Sequence, residues 1–391
     1  MQHRSTRRSL SRRGFLEEGG LAAAGLALGL GARTARAEDA RTVRCGFVGV
    51  GNRGTTLLKA TVGVPGVQVA CICDLDAEHR RRASGIVEGA GGEKPDQLDD
   101  WKKLLARDDI EAVVSALPCD LHYPLYRDAI DAGKHLYGEK PMCLTVAHAD
   151  DLVERVKKAG TVFQIGFQRR FSNLLRASIN ACHEGIVGEP YEARGVRFGS
   201  GGPFREPGEW FSFRERSGDW MLEQAVHHWD AFNWAFGELP VSAYGTGKQD
   251  LFKDWDPERD VSDYYTAIIK YRSGLTLTWT HTWASPPDRK FGGMHEQLVG
   301  PKGAIELLDG HVAFRKGGSQ DGRPSRKLAP DEVGDRTELA LTGFFDCVRT
   351  GKKPFVGVED GRAATLFGLL VRQAVYAERA VTMEEILSGE A

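Results

Sequence analysis

The sequence predicts an α/β chain in two parts: a parallel, doubly wound sheet, then an α+β domain built on a mostly antiparallel open sheet. Three observations carry this. Between residues 41 and 165, apolar runs alternate with segments of helical spacing, the grammar of βαβ units. The first strand-to-helix junction is glycine-rich, Gly49-x-Gly51-x-x-Gly54. Beyond residue 190, strand-like stretches follow one another, separated by turns such as Arg272-Ser273-Gly274 and Gly300-Pro301-Lys302-Gly303. At 391 residues, 41% hydrophobic and 27% charged, the chain is globular and long enough for two domains.

Residues 1–37 read as an address. Ser11-Arg12-Arg13-Gly14-Phe15-Leu16 is a twin-arginine export pattern, followed by a mildly apolar run from Gly19 to Gly31 and an Ala35-Arg36-Ala37 cleavage site. The run is too short and too rich in glycine and alanine for a stable membrane span. An exported, periplasmic protein is expected. Removing this segment takes away seven arginines and two glutamates, so the remainder is more acidic than the formal −2 of the whole.

The first domain, 41–165, opens on Val43 to Gly54, VRCGFVGVGNRG. Gly49 makes the tight turn, Gly51 lets the backbone approach a diphosphate, and Gly54 lets helix and strand pack closely. A diphosphate on the helix N-terminus puts Asn52 and Arg53 beside it. The second strand, Val67 to Cys73, ends in Asp74, twenty residues after Gly54. That is the spacing at which a carboxylate meets a ribose diol, which favours NAD over NADP. Arg80 to Arg82 are the countersignal, and the plainer alternative is that Asp74 caps the next helix. Helix Asp99 to Leu105, strand Ile110 to Leu117, a helix from His122, strand Lys134 to Tyr137, helix Val146 to Ala159 and strand Val162 to Phe167 complete the alternation.

In the second domain, 166–391, helices are expected over Ser172 to Glu184 and Leu222 to Phe236. Strands are expected over Tyr191 to Phe198, Val241 to Gly247, Tyr264 to Tyr271, Leu275 to Thr282, Glu296 to Val299, Ala304 to Leu308 and Val312 to Arg315. Gly317 to Ser325 reads as a surface loop, and helices Thr337 to Thr350 and Gly361 to Arg379 pack back on the body. There is no basic patch with interleaved aromatics, which argues against a nucleic-acid partner. The seven cysteines show no CxxC and no metal-ligand spacing, so no metal is expected.

The Gly49-to-Gly54 turn, Asp74, Glu139-Lys140-Pro141 and Glu223-x-x-x-His227-x-x-Asp230, in that order, resemble the glucose-fructose oxidoreductase, inositol dehydrogenase and rhizopine catabolism (Gfo/Idh/MocA) family. The resemblance covers nearly the whole chain after the address. It implies a Rossmann domain, a C-terminal domain whose open sheet often joins copies into a dimer or tetramer, and chemistry on a sugar or polyol. Lys140 matches the family's lysine between nicotinamide and substrate hydroxyl, where an ammonium stabilises a developing alkoxide. His227 matches the catalytic histidine, an imidazole suited to take a carbinol proton. Glu223 stands one turn earlier, where the family usually has aspartate, placed to orient the ring. His122, with Pro118 and Glu139, is expected along the nicotinamide pocket. Arg169, Arg170 and His228 are expected at the substrate.

The function expected is hydride transfer between a sugar or polyol carbinol and a tightly bound NAD, since twin-arginine export carries folded, cofactor-loaded proteins into a compartment poor in free nucleotide. Two alternatives stand: an NAD-dependent, redox-assisted glycosidase, and a non-catalytic sugar- or nucleotide-binding protein.

Overall fold

A computed structural model describes residues 41–389, apart from 201, 203–205 and 289. The expected export segment lies outside the described residues.

The first sheet is built from β1 (Val43–Val48), β2 (Val67–Cys73), β3 (Asp96–Leu98), β4 (Ala112–Ser115), β5 (His135–Gly138) and β6 (Phe163–Ile165). The helices between them are α1 (Asn52–Thr61), α2 (Ala77–Gly89), α3 (Trp101–Leu105), α4 (His122–Asp131) and α5 (Val146–Ala159). All six strands are parallel, in the order β3-β2-β1-β4-β5-β6. The order reverses between β1 and β4, and the carboxyl ends there form the crevice where open α/β sheets bind ligands. β4, AVVS, is buried throughout, as a strand covered on both faces must be. Side chains of Asp76, Asp100 and Thr145 cap α2, α3 and α5.

The second half contributes α6 (Asn173–His183), β7 (Glu192–Phe198), α7 (Arg214–Ser217), α8 (Trp220–Glu223) and α9 (Val226–Phe236). There follow β8 (Pro240–Lys248), β9 (Tyr264–Tyr271), β10 (Thr276–Thr282), β11 (Gly293–Gly300), β12 (Gly303–Glu306), β13 (His311–Phe314) and β14 (Ser325–Lys327). The chain closes with α10 (Arg336–Thr350), α11 (Val358–Ala377), β15 (Val381–Thr382) and α12 (Met383–Ser388). The nine-stranded sheet runs β14-β13-β12-β11-β7-β10-β9-β8-β15, antiparallel throughout except for the β7–β10 pair. Its strands alternate: Tyr265, Ala267, Ile269 and Tyr271 point into the core. There Trp229 of α9 packs on Trp279 and on Phe367 of α11. The opposite face stays open, with Tyr244 and Ile268 in register and each 47% exposed.

One expectation is corrected. The helix read as Leu222 to Phe236 breaks at Gln224-Ala225 into α8 and α9. The stretch Gly317 to Ser325 runs as mostly exposed turns up to the first residue of β14, and β14, β3, β15, α7 and α12 carried too little periodicity to be seen. The two closing helices both pack back on the body: α10 sets Leu341, Phe344 and Phe345 with Phe47, Leu57 and Tyr137 of the first domain, while α11 lies on α9 and β8 of the second and on α5 of the first. No described helix is long and apolar enough to cross a membrane.

Candidate active site

The glycine-rich turn is shaped from within. At Gly49, φ is +82°, and a Cβ would lie 2.3 Å from the Ala116 carbonyl oxygen; at Gly54 it would lie 2.0 Å from that of Gly49. The first fits the turn against the segment after β4, and the second closes the turn on itself. At Gly51 the nearest atom would be 3.9 Å away, so this position faces an open cradle. α1 begins there with no side-chain cap and no acid in its first turn, leaving its N–H groups for an anion. Asp74 Oδ2 accepts from the Val50 N–H at 2.8 Å and Oδ1 from Asp76 N–H at 2.9 Å, while the α2 cap is Asp76. The plainer alternative for Asp74 is thereby corrected. Arg80 donates to the Asp74 and Leu75 carbonyls, Arg82 to the Val50 carbonyl, and Arg81 pairs with Glu78. Each of the three is thus already engaged with the backbone or a neighbouring side chain. These residues fit a diphosphate and a ribose diol, with Asn52 exposed at the head of α1.

Arg53 and Glu139, both expected at the cofactor, pair with each other at 2.7 Å through Arg53 Nε, while Arg53 Nη2 is buried with no partner among the described residues. Glu139 is 4% exposed, and its Oε2 accepts the Lys140 N–H at 3.2 Å. The pair locks the turn after β5 to the head of α1. His122 is 1% exposed, with Nδ1 2.6 Å from the Pro141 carbonyl and Nε2 2.9 Å from that of Leu117. It is sealed from any ligand, and it staples the Lys140-Pro141 turn, whose peptide bond is cis, to the loop through Pro118. Lys140 is thereby held in place while its side chain stays free to reach across.

It reaches the second domain. Lys140 Nζ donates to Glu223 Oε1 at 2.7 Å and to the Glu223 carbonyl at 2.6 Å. Burial works against the ammonium, but Glu223 and Glu139 outweigh it and its pKa is raised. Glu223 was expected to orient His227; the break between α8 and α9 turns it to Lys140 instead. His227 Nδ1 is buried with no hydrogen-bond partner among the described residues, and the ring packs edge-on against Phe167. Burial first, then the charges of Lys140, Arg169, His228 and Arg53, hold its pKa well below the usual 6.5. The imidazole is therefore neutral at pH 7, able to accept a proton.

Of the residues expected at the substrate, Arg169 alone remains near the surface of the site. Its Nη2 donates to Glu296 Oε2 at 2.6 Å and its Nη1 lies 3.0 Å from His228 Nδ1, which also contacts Glu296. His228 is buried in this triad and is a support. Arg170 is likewise corrected: it lies 4% exposed, paired with Asp230 at 2.7 Å and Asp360 at 2.9 Å. Two residues were missed. Glu296 on β11 and Arg197 on β7 both take inward positions of alternating strands, Glu296 with Leu298 and Arg197 with Ala193 and Gly195. A charged residue at an inward strand position was the available signal.

A parallel sheet with an anion-receiving glycine turn, an acid beyond its second strand, and a lysine–carboxylate pair beside a neutral histidine defines a nicotinamide-nucleotide oxidoreductase. Residues 43–167 match the oxidoreductase family with the NAD-binding Rossmann fold, and residues 176–306 match the Gfo/Idh/MocA C-terminal domain. The chain belongs to the Gfo/Idh/MocA family and binds NAD. It is 28% identical over 336 residues to the scyllo-inositol 2-dehydrogenase (NAD(+)) of Bacillus subtilis (strain 168), covering 83% of this chain and 93% of that protein. It is 33% identical over 213 residues to a glycosyl hydrolase family 109 protein of Saccharopolyspora erythraea, covering 50% of this chain and 45% of that one. Its fold resembles levoglucosan dehydrogenase in complex with NADH and levoglucosan, with a TM-score of 0.74, 20% identity, and coverage of 88% of this chain and 100% of that one.

Proposed function

We propose that the protein oxidises a secondary hydroxyl of a sugar or polyol, or reduces the matching ketone, with the nicotinamide nucleotide held in the site from turnover to turnover. The observation that carries this is the Lys140–Glu223 pair at the carboxyl edge of the parallel sheet, with the unpartnered Nδ1 of His227 in the same cluster. Gly51, the head of α1 and Asp74 hold the cofactor, and the bound nicotinamide supplies a two-electron acceptor. His227, neutral, takes the hydroxyl proton as the carbinol is oxidised. Lys140 donates to the oxygen as negative charge develops on it, and Glu223 keeps that ammonium charged and aimed. In the opposite direction the protonated imidazole returns the proton. Names of inositol and levoglucosan dehydrogenases among the relatives and neighbours support a polyhydroxylated substrate.

A second reading, the redox-assisted glycosidase, is favoured by the match to a glycosyl hydrolase family 109 protein and by the export pattern within residues 1–37. Both readings place the protein outside the cytoplasm, working with a nucleotide it carries. One experiment separates them. Purified protein, given no cofactor, is denatured to identify released nucleotide, and native protein is offered polyols, free sugars and aryl glycosides. NADH that accumulates with a polyol and is reoxidised by a ketose supports the oxidoreductase. Aglycone release without lasting NADH would replace it with the glycosidase.

A further inference from the structure

Most of the buried arginines around the cleft meet a carboxylate. Arg53 has Glu139, Arg169 has Glu296, and Arg170 has Asp230 and Asp360. Arg197 departs from this. Its Nε donates to the neutral amide of Gln224 at 3.1 Å, its Nη1 meets the thioether of Met294 at 3.4 Å, and its Cζ lies 5.0 Å from the centre of the Trp283 ring. No carboxylate among the described residues pairs with it. Its Nη2 has no partner there, yet is not sealed from solvent. Burial, then the charge of Arg169, lowers its pKa, the response of a guanidinium short of a counter-ion.

The position is not peripheral. Gln224, which steadies Arg197, directly follows Glu223, the residue that holds Lys140. The guanidinium also lies close enough to His228 and His281 to disfavour their protonation. Arg197 thus lines the second-domain side of the site, within electrostatic reach of Glu223 and Arg169. With the Arg53–Glu139 pair counted, Lys140, Arg169, Arg197 and Arg53 face Glu223, Glu296 and Glu139, one positive charge in excess. A half-desolvated guanidinium is satisfied best by a planar carboxylate that takes two of its N–H groups at once. A neutral hydroxyl would accept one hydrogen bond and leave the charge uncompensated.

We propose that the substrate is a sugar acid, a uronate or aldonate, and that Arg197 receives its carboxylate while Lys140 and His227 work on a hydroxyl of the same molecule. The inference rests on the oxidoreductase reading and narrows its substrate class. Arg197 acts as a specificity residue that touches substrate away from the reacting carbon.

The test compares kcat/KM for D-glucuronate and D-galacturonate with those for D-glucose, D-galactose and myo-inositol, following NADH with the nucleotide-loaded protein. At least one acid is expected to exceed its neutral counterpart by about tenfold or more, and glucuronamide, uncharged but similar in shape, is expected to behave like the neutral hexose. In Arg197→Leu the acid-to-neutral ratio is expected to collapse toward one, and in Arg197→Lys, which keeps charge but loses the fork, to fall part of the way. The ratio is read within each variant. Should Arg197→Leu not fold, the wild-type acid-to-amide ratio and Arg197→Lys carry the same information. An acid-to-neutral ratio near one in the wild type, a ratio unchanged in both variants, or a hexose phosphate preferred over every hexuronate would overturn the inference. If neutral sugars reduce the bound NAD and acids do not, the oxidoreductase reading survives and this inference falls; if nothing in the panel does so, both fall.

Discussion

The ammonium of Lys140 sits 2.7 Å from the Glu223 carboxylate and 2.6 Å from the same residue's carbonyl oxygen, a contact that joins the turn after β5 to the end of α8. One residue from the first domain and one from the second therefore share a single charge pair at the centre of the site. Burial works against the Lys140 ammonium, and Glu223 is the largest of the charges that outweigh it. Glu223→Ala should therefore lower kcat about 100-fold. It should also move the alkaline limb of the rate profile to lower pH, because the ammonium left behind is desolvated and has lost its carboxylate partner. A profile that keeps its wild-type alkaline limb would show that Glu223 does not hold that charge.

His227→Ala removes the proposed base and little else, since its Nδ1 bonds to nothing among the described residues. A loss of roughly 10²–10⁴ in kcat is expected, with nucleotide still released in full on denaturation. In the wild type the depressed pKa of His227 means kcat/KM for oxidation should not fall as pH drops through 6.5, where an ordinary histidine would protonate. A break near that pH would contradict the assigned environment.

Gly49 and Gly51 should respond differently to one added methyl group. Gly49→Ala drives a Cβ to 2.3 Å from the Ala116 carbonyl at a positive φ, so about 2 kcal/mol or more of stability should be lost. Gly51→Ala meets nothing nearer than 3.9 Å, so Tm should hardly move while nucleotide content falls. Thermal melts with and without added NAD distinguish the two.

Asp74→Ala should weaken NAD binding by about 1.5–3 kcal/mol, the range for a hydrogen bond to a charged group, and should narrow the preference over NADP. Titration with each nucleotide measures this. An unchanged ratio of the two affinities would mean the carboxylate serves only the Val50 N–H it already accepts.

Acid should unfold the protein through its buried neutral histidines. Burial depresses the pKa of His122 and, more strongly, of His281. Below the unfolded value near 6.5 the unfolded chain binds protons that the folded chain refuses, so the stability these residues contribute is present above 6.5 and is lost as pH falls. Below 6.5 the slope approaches about 1.4 kcal/mol per pH unit for His281, whose pKa is held well below that value, and is smaller for His122. Chemical denaturation between pH 7 and 5 should show it, and a flat profile would contradict it.

The fold was legible where periodicity is strong. β1, α1, β2 and α5 stand almost where the alternation put them, because buried strands and amphipathic helices carry their pattern locally. Short edge elements such as β3 and β15 carry none, being held by neighbours far away in sequence. The site was legible as a set of residues but not as a set of contacts. Lys140, Glu223 and His227 do come together, yet helical spacing suggested a Glu223–His227 partnership, and only the break at Gln224-Ala225 gives Glu223 to Lys140. His122, Arg170 and His228 matched family positions while their side chains are consumed by carbonyls and carboxylates more than fifteen residues away or in other elements. Arg197 and Glu296 broke the alternation of strands already recognised, a signal present in the sequence and not used.

The most direct test follows an isotope. The nucleotide-loaded protein is incubated with polyols and sugar acids deuterated at their ring carbons, then denatured, and the mass of the released nicotinamide nucleotide is measured. Polyol oxidation at this site predicts a reduced nucleotide carrying one deuterium from the oxidised carbon, formed by the wild type and reduced at least 100-fold in rate in His227→Ala. Released nucleotide that never gains the label from any of these substrates would contradict the assignment of the Lys140, Glu223 and His227 cluster to carbinol oxidation.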